Sequence, residues 1–131
     1  MNIIVCVDDN FGMCFNNRRQ SRDKAVYEDI LALVEDNKLF VNEYSLSLFS
    51  QDIDNLYVNN KFLSVAESND YCFIENVDPP QKCDKIILYR WNRVYPYDRI
   101  LNKELFSNKR LIESIDFLGN SHQKITREIY E

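Results

Sequence analysis

The chain has 131 residues, a hydrophobic share of 45%, a charged share of 28% and a formal net charge of −5. That length suits one domain over residues 1–131, able to bury about two-thirds of its unfolded surface without staples. The acidic balance argues against general nucleic-acid binding, which calls for a basic surface.

In chain order, Ile3–Val7 (IIVCV) is a β-rich apolar run closed by Asp8-Asp9-Asn10, the pattern of a central strand buried on both faces. This run is too short for a signal peptide and an acidic pair follows it, so a cytoplasmic protein outside the membrane is expected. A polar loop with Gly12 leads to a helix from about Ser21. Ser21 is its expected cap, Asp23 suits its positive end, and Val26, Ile30, Leu33 and Val34 share one face. Leu39–Val41 reads as a second strand and Tyr44–Phe49 as a short helix. Asn55–Val58 reads as a short strand, and Asn59 or Asn60 as the cap of a helix through Ala66. Tyr71–Ile74 and Lys85–Tyr89 are further strands. Lys109–Phe117 and His122–Tyr130, around Gly119-Asn120, read as a closing antiparallel hairpin. Together these predict an α/β fold: a mixed, mostly parallel sheet flanked by helices, finished by an antiparallel hairpin.

Cys6, Cys14, Cys72 and Cys83 show no C-x-x-C spacing, and Cys6 and Cys72 lie within apolar runs. Reduced thiols are expected, and with one histidine in the chain no metal site is expected.

The order Val7-Asp8, Gly12-Met13, Asn16-Asn17, Asp23, followed by Tyr71–Asn76, Lys85–Arg90 and Tyr95-Pro96, resembles dihydrofolate reductase over almost the whole chain. The resemblance implies that family's topology and places Asp23 like its substrate-binding acid, able to hold a pterin-like amidine edge. The departures are chemical. The family's Leu-Pro-Trp segment is replaced by Arg18-Arg19-Gln20, and its glycine pair at the cofactor phosphates by Glu75-Asn76. Its Gly-Arg-x-Thr segment, which clasps the nicotinamide cofactor, reads Asn42-Glu43-Tyr44-Ser45. A glutamate repels phosphate and the arginine partner of a 2′-phosphate is gone, so the fold is expected without a nicotinamide cofactor and without reductase activity. The stretches Ile4–Asp8, Phe15–Asp23, Tyr89–Pro96 and Ser121–Tyr130 also resemble a group of small bacterial proteins that carry a ribonuclease Z label. The chemistry of that enzyme needs two zinc ions on several histidines, and His122 is the single histidine here.

Three constellations stand out. Asp8, Asp9 and Asp23 are either a carboxylate cluster or, more plainly, a solvated strand end and a helix-favouring acid. Arg18, Arg19 and Arg22 are either an anion pocket at the positive end of the first helix or a solvated loop pairing with surplus acids. Trp91 lies between Arg90 and Arg93 in an aromatic, cationic stretch suited to stacking on a flat ring, or to plugging a sheet edge. His122 reads as a lone surface histidine, since adjacent strand residues Ser121 and His122 would face opposite ways. The expected function is binding of a small anionic or nucleotide-like ligand by Arg18, Arg19, Arg22 and Asp23, with Trp91 and Arg93 as wall. Two alternatives are an enzyme acting on RNA or nucleotides and a non-catalytic interaction protein, a homodimer through an aromatic patch at Trp91 and Tyr95.

Overall fold

The computed structural model describes residues 1–50 and 52–131. Its central strand β1 (Asn2–Val7) comes from the IIVCV run, with Ile3, Ile4 and Val5 wholly buried. Alternation along the strand divides these side chains between two cores. Ile4 packs with Val26, Tyr27, Ile30 and Val34 of α1 (Lys24–Val34), and with Phe73, Ile87 and Tyr89. Ile3, Val5 and Val7 pack on the other face with Met13, Phe62, Ile74, Leu88 and Leu101. Each such residue contributes about 1.5–3 kcal/mol by leaving water.

Before α1 the chain forms β2 (Gly12–Phe15) and β3 (Arg18–Arg19); after it come β4 (Leu39–Val41), β5 (Leu56–Val58), the short α2 (Phe62–Val65), β6 (Tyr71–Ile74) and β7 (Lys85–Arg90). Then follow β8 (Arg99–Ile100), β9 (Leu111–Phe117) and β10 (Ile125–Tyr130). Seven strands make one sheet in the order β5-β4-β6-β1-β7-β10-β9. The first five run parallel, and β10 pairs antiparallel with both β7 and β9. This is the single α/β domain with an antiparallel finish that the sequence predicts.

Several local expectations need correction. The cap of α1 is Asp23, whose carboxylate accepts from the Ala25 N–H; Ser21 lies two residues before that cap. Tyr44–Phe49 shortens to a single 3₁₀ turn over Leu46–Leu48. The loop after β1 holds structure of its own: β2, β3 and β8 form a small antiparallel sheet. Asn16 and Asn17 join β2 to β3 with φ 51° and 61°, the left-handed pair that a two-residue hairpin requires and asparagine tolerates. Gly12 is needed by close approach, since a Cβ there would stand 2.6 Å from the Tyr97 side chain. Among the described residues no helix is long and apolar enough to cross a membrane.

Candidate functional site

Parallel strands end at one rim, so β1, β4, β6 and β7 deliver Asp8, Asn42, Glu75 and Trp91 to the same edge of the sheet. Adjacent strands β1 and β7 send their chains to opposite sides of the sheet, and open α/β sheets bind ligands beyond the strand ends at such a point.

Asp8 is buried, against the solvated strand end expected from sequence. One carboxylate oxygen accepts the N–H groups of Asn10 (2.9 Å) and Gly12 (2.8 Å); the other accepts the Tyr95 N–H at 3.1 Å. Its work is to hold two loops together and to fix Tyr95.

The three arginines separate. On β3, successive side chains point opposite ways, leaving Arg18 exposed and turning Arg19 inward. Arg19 makes a two-pronged pair with Glu75 at 2.8 and 3.0 Å and stacks over the Tyr44 ring at 4.4 Å. Burial works against its charge, yet the Glu75 carboxylate outweighs that and raises its pKa. Glu75 also accepts from the Ser45 hydroxyl at 2.7 Å, and the Asn42 amide reaches Asn76, which in turn donates to the Asn17 carbonyl. Thus the β2–β3 hairpin is tied across the ends of β4 and β6. Arg18 lines a cleft of about 510 Å³ with Phe15, Gln20, Arg19 and Pro96. Arg22 is exposed on the turn into α1 and lines neither this cleft nor the next.

A second constellation forms around Asp23, 1% exposed, and His122, 5% exposed. His122 is a buried residue, not the surface histidine expected. It sits in the connection before β10, outside any strand, so the opposite-face argument does not apply. Asp23 receives four donors: the N–H groups of Ala25, Asn120 and Ser121, and His122 Nδ1 at 2.9 Å; the Ser121 hydroxyl lies 3.3 Å away and donates to the Arg22 carbonyl at 2.7 Å. Burial penalises its charge, but bonds from Asn120, His122, Ser121 and Ala25 prevail and hold its pKa at about 2. The far ring nitrogen, Nε2, stands 3.1 Å from the Ser21 hydroxyl and 3.0 Å from that of Tyr95, which are 3.3 Å apart. Trp91 stacks on the imidazole with centroids 4.8 Å apart and planes at 23°. Gly119 makes the approach possible: a Cβ there would lie 2.5 Å from the Asp23 carboxylate.

Trp91 is only 3% exposed, so its ring face is taken by His122 and the exposed Trp91–Tyr95 patch is absent. Arg93 is exposed in a cleft of about 380 Å³ with Asp9, Trp91, Asn92, His122, Gln123 and Lys124. Among the described residues no group of three or more histidine, cysteine and acidic side chains is placed to hold a metal. The four cysteines are free thiols, and burial raises that of Cys72 to about 12.

Of the predicted set, then, Asp23 and Trp91 converge on one network, and Arg18 and Arg19 share one cleft. Arg93 lines the second cleft together with Trp91, and Arg22 stands apart. Sequence reading missed His122, Ser21 and Tyr95 as partners. Asp23 and His122 are 99 positions apart, and only the fold brings them together.

No protein-family model matches the sequence, and no curated protein matches it. The ribonuclease Z resemblance therefore gains no support. Among solved structures, dihydrofolate reductase from Enterococcus faecalis, complexed with NADP(H) and RAB-propyl, superposes with a TM-score of 0.66 at 9% identity. The match covers 99% of this chain and 94% of that one. At this identity the likeness establishes the fold alone, which is that of dihydrofolate reductase.

Proposed function

We propose that this chain is a ligand-binding protein that uses the dihydrofolate reductase fold without a nicotinamide cofactor. It takes a small anionic, nucleotide-like ligand in the cleft beside the β2–β3 hairpin. The observation that carries the reading is the pairing of Phe15 with Arg18 across that hairpin. Phe15 is 43% exposed, Arg18 has no carboxylate partner among the described residues, and both line the cleft with Pro96. An exposed aromatic ring beside an unpaired guanidinium suits a flat base and a phosphate. In the same acidic chain Arg19, Arg90, Arg99 and Arg127 are paired, and of the arginines unpaired among the described residues Arg18 is the one that faces this cleft.

Loss of the cofactor is supported by the bonds of Arg19 with Tyr44 and Glu75, of Ser45 with Glu75, and of Asn76 with Asn42 and Asn17, which occupy the segments that the resemblance assigns to it. Asp23 spends its acceptor capacity on its own chain and contributes no contact to a pterin. A thermal-shift panel tests the reading. A nucleoside phosphate at about a hundred times its Kd adds about 2.7 kcal/mol to the wild type. Arg18→Ala loses that shift without changing the unliganded unfolding temperature. Equal shifts in both proteins would sink the proposal, and a response to the reduced nicotinamide cofactor would overturn the claim of its loss.

A second reading, pairing with another copy of the chain, is favoured by one observation. The edge strand β9 is exposed on both faces, with Leu111, Ile112 and Ile115 in solvent. An unpaired strand edge can join its own copy about a two-fold axis. A monomeric mass in solution would exclude it.

A further inference from the structure

We propose that Ser21, His122 and Asp23 form a nucleophile, general base and orienting acid for acyl transfer to and from small carboxylic esters. The proposal is independent of the nucleotide-binding reading, because it uses other residues and another cleft.

The proton positions follow from the hydrogen-bond partners. An ionised carboxylate only accepts, so the proton shared between Asp23 and the imidazole rests on Nδ1. Nε2 of the neutral ring then presents a lone pair to the hydroxyls 3.1 Å (Ser21) and 3.0 Å (Tyr95) away. This is the order acid, imidazole, hydroxyl by which an alcohol is activated as a nucleophile. With Ser21 donating to Nε2, the Tyr95 hydroxyl is placed to donate to Ser21 Oγ and then to the oxyanion that develops beside it. Anchoring the hairpin turn to α1 needs only the bonds from Asn120 and Ser121. The stacked Trp91, which fixes the ring, and the two hydroxyls at Nε2 exceed that need. Ser21 is partly exposed, so its hydroxyl can be reached from solvent, and its partner His122 lines the neighbouring 380 Å³ cleft. Arg93 and Lys124 in its wall outnumber the one acid there, Asp9, and favour an acyl group that carries a negative charge.

Ser21 Oγ bonds to the ester carbonyl carbon while its proton passes to Nε2 and the carbonyl π electrons move onto oxygen. Collapse breaks the carbon–alkoxy bond, and Nε2 returns the proton to the departing alcohol. Water then attacks the acyl-serine, again through Nε2, releasing a carboxylic acid and restoring Ser21. Ester and water give alcohol and acid, with no other reactant.

A fluorophosphonate probe, which phosphonylates an activated serine with loss of fluoride, tests the proposal on the full chain by mass spectrometry. The expected result is one adduct per chain, on the peptide holding Ser21, absent in Ser21→Ala. In His122→Gln, with its unfolding temperature checked, labelling falls by about 10²–10⁴-fold. No adduct on the folded wild type, an adduct on Ser121 or any other residue, or undiminished labelling of Ser21→Ala would overturn the proposal. The wild-type result decides the matter even where a variant fails to fold, since a purely structural network leaves no reactive hydroxyl.

Discussion

Asp23 shows how one carboxylate ties a helix start to a distant turn. Its pKa is held at about 2 against an ordinary value of 3.8, so its folded-state pKa is depressed. The sign follows from linkage: the stabilisation is complete above about pH 4 and is lost as pH falls through the folded value. The difference corresponds to roughly 2 kcal/mol. Urea unfolding of wild type and Asp23→Asn at pH 6 and at pH 2 measures it. The stability gap between the two proteins is expected to narrow by about 2 kcal/mol at the lower pH; a gap that stays constant would mean that Asp23 titrates normally. Half of this arrangement was legible. An aspartate beside an amphipathic run signals a helix start, but the partner of that aspartate is set by tertiary structure. Nothing local to Ser121-His122 marks His122 as buried, and reading the two as strand residues gave the wrong side-chain directions.

At the scale of elements, the two-residue strand β3 divides a basic run that looks uniform in sequence. Strand alternation sends Arg18 to the cleft and Arg19 to Glu75, so one becomes a candidate ligand contact and the other a structural plug. Neither the strand nor its register was legible, because β3 carries no apolar pattern and its hairpin turn is marked only by Asn16-Asn17. Glu75 is 7% exposed, so Arg19→Ala leaves a buried carboxylate unpaired and should cost about 3–5 kcal/mol in chemical unfolding. Glu75→Gln in the same chain removes the orphan charge and should recover a large part of that loss. A double variant no more stable than Arg19→Ala would show that the pair contributes through packing and not through charge. The buried strands β1, β6 and β7 were read correctly for the opposite reason: their continuous apolar runs leave few other ways to escape water.

Across the whole molecule, order should decline from the sheet centre toward the β9 edge. β1 is bonded on both sides and covered on both faces, whereas β9 is an edge strand exposed along most of its length. Amides of β1 and β7 are therefore expected to exchange hydrogen only through global unfolding, and those of β9 through smaller openings. The β9–β10 hairpin nevertheless has a second anchor, because its turn is bonded to α1 through Asp23, Ser121 and His122. Gly119→Ala separates the two supports. A Cβ placed 2.5 Å from the Asp23 carboxylate and 2.6 Å from the His122 carbonyl must push the turn away. Overpacking of this kind costs about 1–3 kcal/mol. Exchange should then speed up in β9 and at the start of α1 together, while β1 and β6 change only by the global loss. Acceleration confined to the turn would show that the hairpin is held by its sheet bonds alone, and that the Asp23–His122 contact orders side chains without bracing the fold.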